Sequence, residues 1–467
     1  MKIHLIIASN EADPLRKVNP FMPLSLPIIA GSAPEHDYKL TDLLWEGFDS
    51  LDYDEDFDII GISFRVSATI KAFEIADKYR AKGKTVVLGG AQPSSIPLKA
   101  KKHADAVVIG EGEPLWPVLL EDFKTGKLKD FYICSPDNNL DFEGYSVYKT
   151  PLPENLDFPP ALRKLYRGKY TFDMVYATRG CPVDCSFCSV SKLFGKKMRY
   201  KSHDRILAEI NQFGRHFFLV DDTAFGRNNC YDYYMKLYKK IESLPKRRFW
   251  IAQANLDAAA NEKGREVIRQ ASLSGMSYAA IGLESINPDN IKETGISSKL
   301  GITDQENPLE EMKKNIKFIH DQGIAISGWF TIGLEHDTYE SCLQTLDFCI
   351  EANIFPVFNP IQALEGTRYY DELKEEDKII DQKANVSNVI NHSITNEMFI
   401  ELMKESVKRA FTDRKIIKRT YFYFKKIKAL RRGSFELIHR TTLIHITQLK
   451  LRKVIKQEII RFSSRIK

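Results

Sequence analysis

Three cysteines, Cys181, Cys185 and Cys188, stand in a C-x3-C-x2-C run within the stretch Thr178 to Val190. They follow the apolar segment Phe172 to Ala177, and Gly180 and Pro182 mark the run as a loop. Three thiolates this close in sequence can converge on one metal centre. Structural zinc and a fully protein-ligated iron–sulfur cluster take four protein ligands, so a set of three leaves one position open to water or substrate. An open position suggests chemistry at the metal. The alternative is zinc with a distant fourth ligand. Cys134, Cys230, Cys342 and Cys349 are the candidates, but none lies in the paired context that zinc sites show.

A loop of this kind needs a scaffold on both sides, and the sequence supplies alternating strands and helices. Strands are predicted at Phe172 to Ala177, Phe217 to Val220, Phe249 to Ala252, Tyr278 to Leu283, Ile324 to Ile332 and Ile354 to Phe358. Helical spacing fills the intervals, at Asp204 to Phe213, Tyr231 to Ser243, Gly264 to Leu273, Pro308 to His320 and Tyr339 to Ala352. This pattern suits a partial parallel barrel, whose chemistry sits on the loops at the carboxyl ends of the strands. The cysteine loop follows the first strand, as that rule requires. Asp221 and Asp222 close the second strand, Gln253 and Asn255 lie just past the third, and Glu284 and Ser285 end the fourth. Carboxylates and amides there could hydrogen-bond a polar ligand. Each of these residues could equally be a helix cap.

The first 130 residues alternate in the same way. Buried-strand candidates are Lys2 to Ala8, Asp58 to Ser63, Thr85 to Leu88 and Ala106 to Ile109, with a helix at Ile70 to Ala81. Ligands of such sheets bind at the carboxyl ends of the strands. Those ends carry Ser9, Ser63, the paired glycines Gly89 and Gly90, and Glu111. The glycines permit close backbone approach to a ligand, or form a plain turn. Asn138 to Ala161 holds Pro151, Pro153, Pro159 and Pro160 and reads as a linker.

The hydrophobic fraction of 43% and charged fraction of 28% over 467 residues are those of a soluble globular protein of two or three domains. No apolar run spans a membrane and the amino terminus is not a signal peptide, so a cytoplasmic location is expected. Seven cysteines, three of them clustered, fit metal ligation better than a disulfide framework. From Asp413 onward 17 Lys or Arg stand against 3 acids, a surplus larger than the whole chain's +6. The body is therefore acidic and the tail basic.

The cysteine run, with Phe187 directly before the last cysteine and the flanking Arg179-Gly180 and FGKKMRYKS, resembles the signature of radical S-adenosylmethionine (radical SAM) enzymes. VDDTAF, at Val220 to Phe225, resembles the segment that contacts the amino group of S-adenosylmethionine in that family, and IGLES its fourth-strand motif. GWFTIGLEHDT is similar to the family's fifth-strand glycine-rich stretch, with Glu335-His336 in place of Pro-Gly, and PIQALEGTRYYDEL to its closing segment. DIIGISF, IADKYRAKGKTVVLGGAQPSSIP and ADAVVIGEGEPLWPVLLEDF resemble the cobalamin-binding domain that precedes the radical module in one large class of these enzymes. The D-x-H-x-x-G motif that places a histidine below cobalt is missing here.

The resemblance implies an α/β protein in four parts. These are a doubly wound, Rossmann-like cobalamin-binding-type domain at 1–137, a linker at 138–165, a partial (β/α)6 TIM-like radical SAM core at 166–375, and a mostly helical region with a basic tail at 376–467. It implies a [4Fe-4S] cluster on Cys181, Cys185 and Cys188. It implies S-adenosylmethionine near Phe187, Asp221, Asp222, Gln253, Asn255, Glu284 and Ser285, and cobalamin near Ser9, Ser63, Gly89, Gly90 and Glu111. Reduction by a flavodoxin- or ferredoxin-type donor would yield a 5′-deoxyadenosyl radical. Methylation of an unactivated carbon is the leading outcome, and ring closure or carbon coupling without cobalamin the alternative. A non-catalytic cobalamin or cluster sensor is a third reading, disfavoured by the intact cysteine run. A tRNA methylthiotransferase would need three further cysteines upstream, where only Cys134 stands. Relatives acting on hopanoids and archaeal lipids point to a lipid, with secondary metabolites and peptides open; no catalytic residue is assigned.

The tail interleaves basic residues with aromatics and aliphatics at roughly helical spacing. Three readings stand. It packs as a helical bundle on the barrel, it attaches to an anionic membrane surface on the cytoplasmic side, or it binds nucleic acid through phosphate. The lack of an RNA-binding signature argues against the last.

Overall fold

The computed structural model describes the chain except residues 12, 14, 18, 138, 169, 184, 228, 304–306, 381–385, 391–392 and 467, and gives the backbone alone at 465 and 466. Asn138 at the head of the expected linker, Asp184 in the cysteine run and Lys467 at the end of the tail lie outside the described residues. The chain forms two compact units. One comprises Met1–Asp184, Cys188–Glu209 and Leu364–Arg368, the other Cys185–Phe187, Ile210–Ala363 and Tyr369–Lys467.

In the first unit, β1 (Lys2–Ile7), β2 (Asp37–Asp42), β3 (Ile59–Ser63), β4 (Thr85–Gly89), β5 (Ala106–Gly110), β6 (Phe131–Cys134) and β7 (Val147–Lys149) form a parallel sheet. Their order is β2-β1-β3-β4-β5-β6-β7. Ile3, Ile59, Val87 and Val108 pack on one face with Trp116 and Leu119 of the helix Trp116–Lys124. Ile6, Ile60, Ile62 and Leu88 pack on the other with Ile75 and Tyr79 of the helix Thr69–Ala81. Burial on both faces is why these strands read as continuous apolar runs. The order reverses between β1 and β3, which makes their carboxyl ends the topological switch point of the sheet.

Three strands do not follow from the sequence pattern. β2 reads DYKLTD, yet its Thr41 and Asp42 are fully buried. Thr41 Oγ1 lies 2.8 Å from His4 Nε2, and the Asp42 carboxylate accepts from the Tyr170 hydroxyl at 2.9 Å. Paired polar groups are tolerated in a core, so a polar sequence can still be an inner element. β6 escapes for want of length. β7 lies inside the proline-rich stretch read as linker, where three residues without proline suffice for a short end strand beside β6.

The strand expected at Phe172 to Ala177 is β8 (Asp173–Val175). It is followed by β9 (Thr178–Arg179), which pairs antiparallel with β10 (Arg199–Tyr200). In the second unit β11 (His216–Leu219), β12 (Phe249–Ala254), β13 (Met276–Glu284), β14 (Ala325–Ile332) and β15 (Phe355–Pro360) run parallel and neighbour one another in sequence order. Helices Tyr231–Glu242, Glu262–Leu273, Pro308–Asp321 and Tyr339–Glu351 alternate with them. Two of them start at a side-chain cap: the Asn261 side chain accepts from Gly264 N–H, and Thr338 and Ser341 form a capping box. The α/β class and the partial-barrel pattern are those expected.

The tail is helical, at Asn396–Ala410, Asp413–Ala429 and Ser434–Ile466. Its inner face closes the entry ends of the strands. Arg440 is fully buried and donates to Met276 O at 2.7 Å and Gly323 O at 2.8 Å, and Tyr423 donates to Asn353 O at 2.9 Å. Its outer face exposes Ile417, Tyr421, Ile438, Ile446 and Ile460 among Lys418, Lys425, Lys453 and Lys456. Among the described residues, no helix is long and apolar enough to cross a membrane.

Candidate functional site

The cysteine loop is entered from β9 and left through the helix Val190–Phe194 and β10. Gly180 adopts φ +97°, the left-handed region, and a side chain there would collide with the Lys197 carbonyl. Only glycine turns this corner without strain. Cys181 N–H donates to Gly195 O at 3.1 Å, fixing the backbone at the first cysteine. All three cysteines are part-exposed thiols outside any disulfide. Phe187 is part-exposed beside Ser186, whose carbonyl accepts from Tyr369 N–H at 3.2 Å.

Within the second unit, Cys185 lies in a charged setting. Burial pushes its thiol up, with Lys299 and Arg227 acting against that, and Glu284 with it. Cations beside a thiol favour the thiolate that ligates metal. Glu284 ends β13 at φ +60°, an unusual conformation for a residue with a side chain. Its carboxylate accepts from Lys299 Nζ at 2.6 Å and Thr331 Oγ1 at 3.0 Å. A Cβ on Gly282 would collide with both Glu284 and Lys299, so the glycine in IGLES makes the room this pair occupies.

The two acids after β11 divide the work. Asp221 is buried and accepts from the Tyr234 hydroxyl at 2.8 Å. Asp222 is part-exposed, and burial together with the charge of Asp221 pushes its carboxyl up to about 7. No ion pair among the described residues neutralises it. Past β12 the Gln253 side chain is exposed, whereas Asn255 is 2% exposed. Asn255 Nδ2 donates to Gly226 O at 3.3 Å and to Asp257, while its Oδ1 has no partner. A buried acceptor without a donor is costly unless a ligand supplies one. Ser285 takes the bland role, accepting from Asn287 N–H at 3.0 Å.

Sequence reasoning missed four residues of this surface. Lys299 leaves no periodic signal. Arg227 pairs with Asp257 at 2.8 Å, and burial lifts Asp257 to about 6 against that pairing. Asp337 accepts from Gly333 N–H at 2.9 Å, Leu334 N–H at 3.0 Å and Asn290 Nδ2 at 2.8 Å, and so shapes the loop after β14. Its place next to the substituted Glu335-His336 is the one signal that could have found it.

In the first unit, Ser9 and Ser63 flank the switch point after β1 and β3, and Ala8 N–H donates to Ser63 O at 2.9 Å. Gly90 adopts φ +99°, and a Cβ there would stand 2.5 Å from Ser63 Oγ. Gly89 has ordinary room for a Cβ. Small side chains and a close turn therefore border the switch-point edge of the sheet. His4 is no candidate for cobalt: it is fully buried beside Phe57, and burial pushes it down to about 3. Glu111 does not face that edge unengaged, since Arg199 and Arg179 hold its carboxylate.

The donor set fits a cluster with one open iron, because three thiols share one loop. Among the described residues, no three His, Cys, Asp or Glu side chains are gathered tightly enough for a single ion. A four-iron cluster holds its thiolates farther apart than one zinc ion does.

Residues 175–349 match the Radical SAM superfamily. The chain is 31% identical over 364 residues to bacteriochlorophyllide d C-12(1)-methyltransferase of Chlorobaculum tepidum, covering 76% of this chain and 74% of that protein. It is 27% identical over 412 residues to bacteriochlorophyllide d C-8(2)-methyltransferase of the same organism, covering 84% and 86%. In fold it is similar to the radical S-adenosylmethionine methyltransferase TsrM from Kitasatospora setae, a structure with cobalamin and a [4Fe-4S] cluster bound. The TM-score is 0.61 at 14% identity, over 80% of this chain and 78% of that one.

Proposed function

This chain belongs to the radical SAM superfamily, and from that premise we propose that it is a cobalamin-dependent methyltransferase of a hydrophobic lipid or secondary metabolite. The observation that carries the reading is the convergence of Cys185, Glu284, Lys299 and Arg227 at the carboxyl ends of the second unit's strands. Cys181, Cys185 and Cys188 would hold a [4Fe-4S] cluster, which when bound would supply the electron for reductive cleavage of S-adenosylmethionine. Ser9, Ser63 and Gly90 at the β1/β3 edge would border cobalamin, which when bound would carry the methyl group to be transferred.

The remaining steps fall to side chains. Asp222, once ionised, pairs with the ammonium of S-adenosylmethionine. Glu284 accepts from ribose hydroxyls, its geometry fixed by Lys299 and Thr331. Asn255 Oδ1 accepts a donor of the nucleoside, which would satisfy its buried lone pairs. The chain around them keeps water from a reactive carbon radical.

The outer face of the tail supports attachment to an anionic membrane, where exposed isoleucines and Tyr421 would insert between lysines. It would bring the enzyme to an apolar substrate. Co-sedimentation with phosphatidylglycerol vesicles checks it, and equal recovery with neutral vesicles would remove the electrostatic part of the idea.

Anaerobic reconstitution with iron, sulfide and cobalamin tests the main reading. The expected result is a cluster absorption band, bound cobalamin, and 5′-deoxyadenosine on reduction with S-adenosylmethionine present. Cluster and nucleoside without cobalamin would reduce the claim to a radical enzyme with a vestigial first domain. Retention of full iron by Cys185→Ala, with no nucleoside from either protein, would refute the catalytic reading.

A further inference from the structure

β9 and β10 bracket the cysteine loop, and their register sets Arg179 opposite Arg199. Like charges facing each other across an antiparallel pair repel. Arg199 is 4% exposed, so water does little to screen it. Two carboxylates from the loop after β5 resolve the conflict. Glu111, whose side chain is fully buried, takes both terminal nitrogens of Arg199, with Nη1 at 3.0 Å. It also receives Arg179 Nη1 at 3.2 Å. Glu113 receives Arg179 Nη2 at 2.5 Å. Arg199 further donates to Pro153 O at 3.3 Å and Phe194 O at 3.1 Å, tying the far side of the loop to the same point. The Arg179 guanidinium lies over the Tyr176 ring at 4.5 Å and near Phe194 at 5.7 Å. Glu111 itself is fixed through its backbone, Glu111 N–H donating to Cys134 O at 2.8 Å.

We infer that Glu111, Glu113, Arg179 and Arg199 form a buried charge lock that sets the two ends of the cysteine loop, making Glu111 and Glu113 positioning residues of the metal site. The acids at the end of β5 are thereby assigned to loop placement and not to contact with a cofactor. Two strand-paired arginines fix direction and spacing at once, because a bidentate carboxylate accepts guanidinium in one plane. Arg179 is two residues from Cys181, so a tilt of β9 displaces the first ligand. The lock acts on the loop whether or not metal is present. Its consequence for a cluster rests on the function proposed above.

The first test uses the apo protein and is independent of that function. Trypsin cleavage within the loop, after Lys192, Lys196 or Lys197, is followed by mass spectrometry for wild type, Glu111→Gln and the double variant Glu111→Gln/Arg199→Gln. Glu111→Gln should be cut in the loop about tenfold faster, and the double variant, with the opposed charge removed, should return toward the wild-type rate. Equal rates for wild type and Glu111→Gln, or a double variant no slower than the single, would overturn the lock. Should Glu111→Gln not fold, Glu113→Gln leaves the Glu111–Arg199 pair intact and is expected to show a smaller increase at the same sites; no increase would overturn it.

The second test loads the cluster. Glu111→Gln should lose roughly tenfold in iron affinity, in the range of changes to groups that orient ligands, and should alter the paramagnetic resonance line shape of the reduced cluster. Wild-type iron content and line shape together with lost cobalamin binding would overturn the lock and return Glu111 to the cofactor. If wild type itself takes up no cluster, the proposed function fails while the protease result still decides the lock.

Discussion

Two strand ends in this molecule carry a close pair of acids, and the pairs have opposite electrostatic fates. After β5, Glu111 and Glu113 are almost wholly removed from water but meet two arginines. Burial alone would raise the Glu113 carboxyl, yet the charge and hydrogen bond of Arg179 overcome this and hold it below the usual carboxylate range. After β11, Asp221 and Asp222 have each other and a tyrosine, and Asp222 rises to about 7. The first pair has its counter-charge built in. Asp222, raised by burial and by the charge of Asp221, has no such arginine among the described residues.

The sharpest way to break this contrast is to remove a built-in counter-charge. Arg199→Met should leave the buried Glu111 to Arg179 alone, which Glu113 shares, and cost about 3 kcal/mol of stability, read by denaturant unfolding. A loss near zero would mean that the first pair is not held by charge. Asp222→Asn should do the reverse. Affinity for S-adenosylmethionine should fall about 30-fold, on the order of 2 kcal/mol, while the apo protein, relieved of a buried charge, becomes more stable than wild type at neutral pH. Calorimetric titration measures the first quantity and thermal unfolding the second.

pH sharpens the comparison further. Pairing with an ammonium needs ionised Asp222, so affinity for S-adenosylmethionine should rise about tenfold between pH 6 and pH 8, and Asp222→Asn should abolish the dependence. Stability carries the opposite signs at the two sites. Asp222 is raised from its ordinary 3.8, so its contribution is complete below that value and is lost as pH rises through about 7. Glu113 is depressed below its ordinary 4.5, so its contribution is present above that value and is lost as pH falls through the lowered one. Melting curves of Asp222→Asn and Glu113→Gln should therefore part from wild type on the alkaline and the acid side respectively. The smallest effect belongs to Gln253, whose side chain is exposed. Gln253→Ala should change stability by less than about 0.5 kcal/mol, with any loss confined to ligand affinity.

Much of this was legible in the chain itself. Continuous apolar runs marked β1, β3, β4 and β5 because a parallel sheet buries both faces, and helical periodicity gave the helices between the barrel strands to within a turn. The cysteine run marked a loop because Gly180 must turn a corner that no other residue turns easily. β2 was not legible, since its buried Thr41 and Asp42 have partners, His4 and Tyr170, far away in sequence.

Sequence alone determined which residues could do chemistry: three thiols on one loop, and polar side chains at the ends of successive strands. Both are local facts, fixed by residue type and by the periodicity of the backbone. Only the tertiary structure decided what surrounds each acid. Glu111 and Asp222 are both acids at the end of a parallel strand. One is enclosed by arginines 68 and 88 residues away and the other is not. The charge on a buried carboxylate depends on what surrounds it in space, and that is set by the fold.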